Sequence, residues 1–202
     1  TREENYFGKY KSAEPGPDRH STEVVPAQDP ALRIFASQEV ASGLMAVWAR
    51  ENTRGEIFDA MKRKEIYATT GTRIRVRVFA GWDFEADEVM RHDFVAEGYR
   101  RGVPMGGNLY KAPDGKAPSF MVRALRDPDG ANVDRIQIIK GWLDAKGETH
   151  ERIYDVAVSD DREIGADGRA KDPVGSTVDV DNATYTNTIG EALLTAHWTD
   201  PD

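Results

Sequence analysis

The sequence predicts a mainly β protein: a β-sandwich-like C-terminal region preceded by one α-helix and loops. Three observations carry this expectation. Beyond residue 72, apolar and polar residues alternate in short runs, the two-residue period of a half-buried strand. Clusters of Gly, Pro and Asp with turn chemistry separate those runs. Before residue 72, a single segment carries strong helical signals.

Residues 1–36 hold Pro15, Pro17, Pro26 and Pro30 and read as a wandering loop, pinned where Tyr6, Phe7 and Tyr10 find apolar cover. The semi-apolar run 38–48 (Val40, Leu44, Met45, Val47, Trp48) reads as a buried strand. A helix is expected over 54–66. Thr53 and Glu56 have the spacing of a capping box, Ile57, Phe58 and Met61 share one face, and Lys62, Arg63 and Lys64 crowd the C-terminal end. Tyr67-Ala-Thr-Thr-Gly71 breaks the pattern. Strands are expected over 73–80, around Phe120, Val122 and Ala124, and over 135–142, 152–158, 178–185 and 192–198. Glu85-Ala-Asp-Glu88 reads as an acidic turn, 103–107, 113–116 and 127–130 as turns, and 159–176 as an exposed loop.

The chain has 202 residues, of which 39% are hydrophobic and 31% charged, enough for one large domain or one domain with part of another. A net charge of −8 argues against a nucleic-acid partner. The lack of cysteine excludes disulfides, thiolate zinc sites and a cysteine nucleophile. No apolar run has the length of a membrane-spanning helix, roughly 18 residues. The ends, Thr1-Arg-Glu-Glu and Trp198-Thr-Asp-Pro-Asp, read as cut ends of a longer protein.

Metal chemistry needs clustered ligands, and His20, His92, His150 and His197 are scattered. His20, with Glu14, Asp18 and Glu23 near it in sequence, is the one histidine considered for an active site; the alternative is a solvated loop histidine. Asp127-x-Asp129 and Asp179-x-Asp181 could offer oxygens to calcium, yet turn chemistry explains Asp-Pro-Asp-Gly fully. Gly102-x-x-x-Gly106-Gly107 lacks the Lys-Ser/Thr ending of a phosphate loop and reads as a tight turn. Arg73, Arg75 and Arg77 share one strand face, either solvated and balanced by nearby acids or forming an anion-facing wall. Glu51 and Arg54, flanking the helix cap, are further candidates. Trp48, Trp82, Trp142 and Trp198 are expected in the core.

Several stretches resemble one bacterial family, the domain of unknown function numbered 3604. They include Glu4-Asn-Tyr-Phe-Gly-Lys9, Ser42-Gly-Leu-Met-Ala-Val-Trp48, Glu51-Asn-Thr-Arg54 through Thr70-Gly71, Phe79-Ala-Gly-Trp-Asp-Phe84, Gly102-Val-Pro-Met-Gly-Gly107, Asp127-Pro-Asp-Gly-Ala131 and Ile138-Ile-Lys-Gly-Trp142. The resemblance implies a larger parent that opens with a domain similar to the polymerase-and-histidinol-phosphatase (PHP) metallohydrolases. That domain is a distorted β/α barrel holding divalent metals with His, Asp and Glu. This sequence lacks the His-x-His motif with which such domains open, while Asp18-Arg19-His20 has the Asp-x-His spacing. Residues 1–72 are therefore expected to be the C-terminal remnant of the barrel, and 73–202 a β-sandwich-like domain lacking its last strand. Arg73, just after the Thr69–Thr72 joint, would lie near the metal pocket.

On this resemblance the parent would carry out metal-assisted hydrolysis of a phosphoester. The fragment itself would be non-catalytic and hold no cofactor or metal. Its expected partners are the missing barrel portion and a second copy, joined through apolar residues (Val40, Leu44, Val47, Ile57, Phe58, Met61) that one short connection cannot cover. A soluble, periplasmic or secreted location follows from the resemblance alone. The rival reading is a non-enzymatic β-sandwich module that binds a partner or a glycan.

Overall fold

A computed structural model of the protein describes Asp18, residues 21–36 and residues 43–201. Tyr6, Phe7, Tyr10, His20 and Val40, and the expectations attached to them, lie outside the described residues. The strands in the first third are β1 (Glu23–Val25), β2 (Ile34–Phe35) and β3 (Gly43–Val47). Helix α1 (Arg54–Lys62), β4 (Ile66–Thr70), β5 (Arg75–Gly81) and helix α2 (Phe94–Arg101) follow. Then come β6 (Gly102–Pro104), β7 (Ser119–Leu125), β8 (Arg135–Leu143), β9 (Thr149–Val158), β10 (Val178–Asp179), β11 (Thr184–Tyr185) and β12 (Leu193–Thr199). The fold is mainly β, as the alternation requires.

The chain divides into two compact units, Thr1–Met45 with Ala68–Gly71, and Ala46–Tyr67 with Thr72–Asp202. In the first, β1 pairs antiparallel with β2, and Asp29 caps a short 3-10 turn by accepting from Ala31 N. The second unit is built on an antiparallel sheet ordered β12-β7-β5-β6. Its register places Val78 beside Val122 and Ala196, with Ala124 beside Leu194. This apolar face buries against Val133 and Ile136 and against Val156 and Ala157 of the β8–β9 hairpin, a sheet-on-sheet contact.

The opposite face carries Arg75, Arg77 and Phe79, opposed by Leu125, Arg123 and Met121 on β7. Phe79 and Met121 are fully buried there, packed with Phe84, Val89 and Phe94. Only one helix was expected, and α2 is a second one, inside the β-rich region. Its eight residues include Gly98, which weakens the helical signal by about 1 kcal/mol relative to alanine. Packing explains the glycine: a Cβ there would lie 2.4 Å from the Phe79 ring, so the helix backbone rests directly on that ring. Arg101 ties α2 back by pairing with Glu88 and donating to the Asp83 carbonyl (2.9 Å). The acidic turn at 85–88 is a 3-10 turn in which Glu88 accepts from Glu85 N (2.8 Å).

Helix α1 starts where expected, with Thr53 accepting from Glu56 N (3.4 Å). It ends at Lys62, four residues earlier than expected. Lys64 takes a left-handed conformation (φ 61°), which stops the helix, and Glu65 N reaches back to the Ala60 carbonyl (3.1 Å). Thr53→Ala is expected to cost about 1 kcal/mol, read as a lowered thermal midpoint; an unchanged midpoint would show that the cap contributes nothing. The apolar stripe of α1 stays largely open, with Phe58 and Met61 59% and 40% exposed, and Leu44 on β3 is exposed as well.

Two further expectations are corrected. None of the four tryptophans is in the buried core: Trp48, Trp82 and Trp198 are half-buried and Trp142 is exposed. Phe79, Met121 and Phe94 fill the buried layer instead. The loop 159–176 is not simply solvated. Arg162 folds back to donate to the carbonyls of Ser159, Asp134 and Asp172, and Asp155 is buried, accepting from Ala170 N (2.7 Å). Among the described residues, no helix is long and apolar enough to cross a membrane.

Candidate functional site

Strand β5 is central and covered on both faces, so one of its faces must take arginines into the interior. Arg77 is that residue, with 9% of its side chain exposed. Its guanidinium carbon lies 4.5 Å from the Trp48 ring centroid, 5.1 Å from that of Phe79 and 5.2 Å from that of Tyr99. The π faces offset part of the cost of burying the charge. Nη2 donates to Tyr99 Oη (2.5 Å), and Tyr99 in turn donates to Glu65 Oε2. Arg77 and Glu65 also pair directly at 3.6 Å. Nε and Nη1 of Arg77 are buried without a hydrogen-bond partner.

The short turn after α1 delivers Glu65 to this point, and Arg63 grips its other oxygen at 2.9 Å. Burial, followed by the bond to Glu65, pushes the Tyr99 hydroxyl above its ordinary pKa, so it stays a donor. Trp48 is fixed by Nε1 donating to the Val76 carbonyl (3.0 Å) and by its backbone N–H on the Glu65 carbonyl (2.9 Å). Together Trp48, Arg50, Arg63, Glu65, Arg77 and Tyr99 line a bowl of about 560 Å³.

A second cavity of about 390 Å³ shares Trp48 and Arg77 with the bowl. Its apolar walls are Phe94, Val95, Leu125 and Leu193, with Arg75 and Arg123 beside them. Arg123 sits directly opposite Arg77 across β5 and β7, a like-charge pairing that ordinarily destabilises a sheet. Its guanidinium covers the Phe94 ring at 4.1 Å and donates to the carbonyls of Val89 and Arg91, both at 2.6 Å. Burial lowers its pKa. Among the described residues, five arginines therefore border the two cavities against one carboxylate, Glu65, in a chain of net charge −8.

The candidates read from sequence fall mostly elsewhere. Arg73 closes the 127–130 turn: its N–H donates to Asp127 Oδ2 (2.7 Å) and its guanidinium pairs with Asp127 and Asp129 (3.4 and 3.3 Å). Those bonds, the Arg73 N–H first, hold the Asp127 carboxyl below the ordinary aspartate range. The Asp-x-Asp oxygens at 127 and 129 thus have structural partners. Asp179 likewise accepts from Asp181 N and Asn182 N in a turn. Glu51 and Arg54 are exposed beside the α1 cap and do not line the bowl, whereas the adjacent Arg50 does. Of the three arginines on β5 and before it, Arg75 is exposed while Arg77 is buried, which corrects the solvated-face reading at Arg77.

The described histidines, His92, His150 and His197, do not converge. His92 is exposed and His197 Nε2 meets the Phe84 carbonyl (2.9 Å). His150 joins Asp144 and Glu148 at the β8–β9 turn, where the three ligand atoms lie within 4.8 Å of one another. Asp144 is already committed there: it accepts from Lys146 N and Glu148 N and pairs with His150 (3.1 Å), so hairpin geometry accounts for the group. The sequence reading missed Glu65, Tyr99 and Arg123 as partners of Arg77. The available signal was an arginine two residues from Phe79, on the same strand face.

The fold and the cavities define a mainly β protein with an arginine-rich, aromatic-walled bowl. The family model described as "Protein of unknown function (DUF3604)" matches residues 1–202, and the chain belongs to that family. No curated protein and no solved structure matches it.

Proposed function

We propose that this chain is the C-terminal, β-rich portion of a PHP-like, metal-dependent hydrolase-related protein, and that its own task is to recognise an anionic group in the arginine bowl. The observation that carries the recognition role is the excess of guanidinium groups around a cavity of small-molecule size. Arg50 makes no ion pair with another described residue, so the bowl retains positive charge after Glu65 has paired with Arg63 and Arg77. The metal-binding and hydrolytic steps belong to the parent by resemblance alone, with a phosphoester as substrate. The Asp144, Glu148 and His150 group sits at an exposed hairpin turn whose own bonds to Asp144 Oδ1 account for it, and no catalytic step is assigned to this chain. The open residues Phe58 and Met61 on α1 fit a face that the barrel portion or a second copy covers. A periplasmic or secreted location is part of the same proposal.

The test is direct. The purified chain, supplied with Mn²⁺, Zn²⁺ or Fe²⁺, is expected to give no turnover of p-nitrophenyl phosphate. It should bind inorganic phosphate in calorimetry, with Arg63→Ala weakening that binding by about tenfold, the loss of one charge-assisted contact. Turnover by the chain alone, or phosphate binding indifferent to Arg63, would defeat the reading. The rival non-enzymatic module is favoured by one observation: residues 46–67, α1 included, belong to the same compact unit as the strands beyond 72.

A further inference from the structure

We infer that the bowl and the adjoining cavity form one site for an amphiphilic organic anion, its compact oxyanion head in the bowl and its aromatic or aliphatic tail in the groove. This rests on the anion-recognition reading above and adds the class of ligand. Trp48 and Arg77 border both cavities, so the two adjoin at that wall.

The chemistry changes across it. On the bowl side, Arg50 and Arg63 stand around a carboxylate that is already paired. On the groove side the walls are apolar, and Val95 and Leu193 remain 45% and 41% exposed, an unfavourable state for hydrocarbon in water unless something covers it. Arg75 and Arg123 flank those apolar walls without a carboxylate partner among the described residues. A purely ionic ligand would leave the apolar walls of the groove wet, and a neutral apolar one would leave the net positive charge of the bowl, Arg50 above all, without a counter-charge. A molecule with both parts meets the bowl's charge and covers the groove's apolar walls at once. Cavities of about 560 and 390 Å³ suit a small molecule rather than a macromolecular chain.

Isothermal titration calorimetry at fixed ionic strength tests this with inorganic phosphate, phenyl phosphate, 3-phenylpropionate and phenol. Phenyl phosphate is expected to bind about tenfold more tightly than inorganic phosphate, the increment for burying most of one ring, while phenol gives no measurable heat. Binding of 3-phenylpropionate at a similar level would extend the head to carboxylates; its failure to bind would define a phosphate head. Val95→Glu on α2, or independently Leu193→Lys on β12, both at partly exposed positions, should abolish the preference for the ring. Equal affinity for phenyl and inorganic phosphate would overturn the amphiphile while leaving anion recognition in place. Binding of phenol as tight as that of phenyl phosphate, or no binding by any probe, would overturn both.

Discussion

Replacing Glu65 by alanine is expected to lower the unfolding free energy by about 3–5 kcal/mol, because it strips the one carboxylate from a buried guanidinium. Glu65 is 3% exposed and Arg77 8%, so water cannot screen the orphaned charge. The change also leaves the Tyr99 hydroxyl without its acceptor and frees Arg63. Urea denaturation of the variant against the parent reads the loss. Glu65→Gln should fall between them, since its amide oxygen can still accept from Tyr99. A loss below about 1 kcal/mol for the alanine variant would mean that the aromatic rings alone sustain Arg77.

Phe79→Ala should be similarly costly, at about 3–5 kcal/mol, from lost burial and an unfilled void. Phe79 is fully buried and makes edge-to-face contacts with Phe94 (5.4 Å) and Tyr99 (5.2 Å). Gly98 offers an internal control. On its own, Gly98→Ala pushes a methyl group into the Phe79 ring, but in the Phe79→Ala background that methyl enters the vacated space. The double variant is therefore expected to be less destabilised than the sum of the two single ones. Additivity within error, measured by denaturant titration, would show that the helix backbone does not rest on the ring.

The strand at 193–199 was legible because Leu194, Ala196 and Trp198 alternate with Thr195, His197 and Thr199, those at 119–125 and 135–143 because apolar residues recur at every second position between turn signals, and the 127–130 turn because Asp-Pro-Asp-Gly has few other uses. Strand β5 was legible as a strand but not in its burial. Val76 and Val78 mark a core face, and the usual inference sends Arg75 and Arg77 to solvent. That inference fails for a central strand covered on both sides, where α2 and the turn at 86–90 roof the second face. Helix α2 escaped for a related reason: Gly98 is needed by a ring nineteen residues earlier in the chain, and local propensity cannot register such a demand. The bowl was hidden because Trp48, Glu65, Arg77 and Tyr99 sit on separate elements, and only tertiary packing brings them together.

The facing pair Arg77 and Arg123 has a consequence for evolution as much as for chemistry. A threonine or valine at Arg123 would remove the repulsion and with it part of the positive field of the cavities, whereas the same change at Arg77 would strip Glu65 of a buried partner. Selection for hardiness and selection for recognition thus pull on the Arg123 codon in opposite directions. Relatives that have kept both arginines should be those in which the cavities are still in use, whereas a lineage that abandoned the ligand is free to drift toward the tougher sheet.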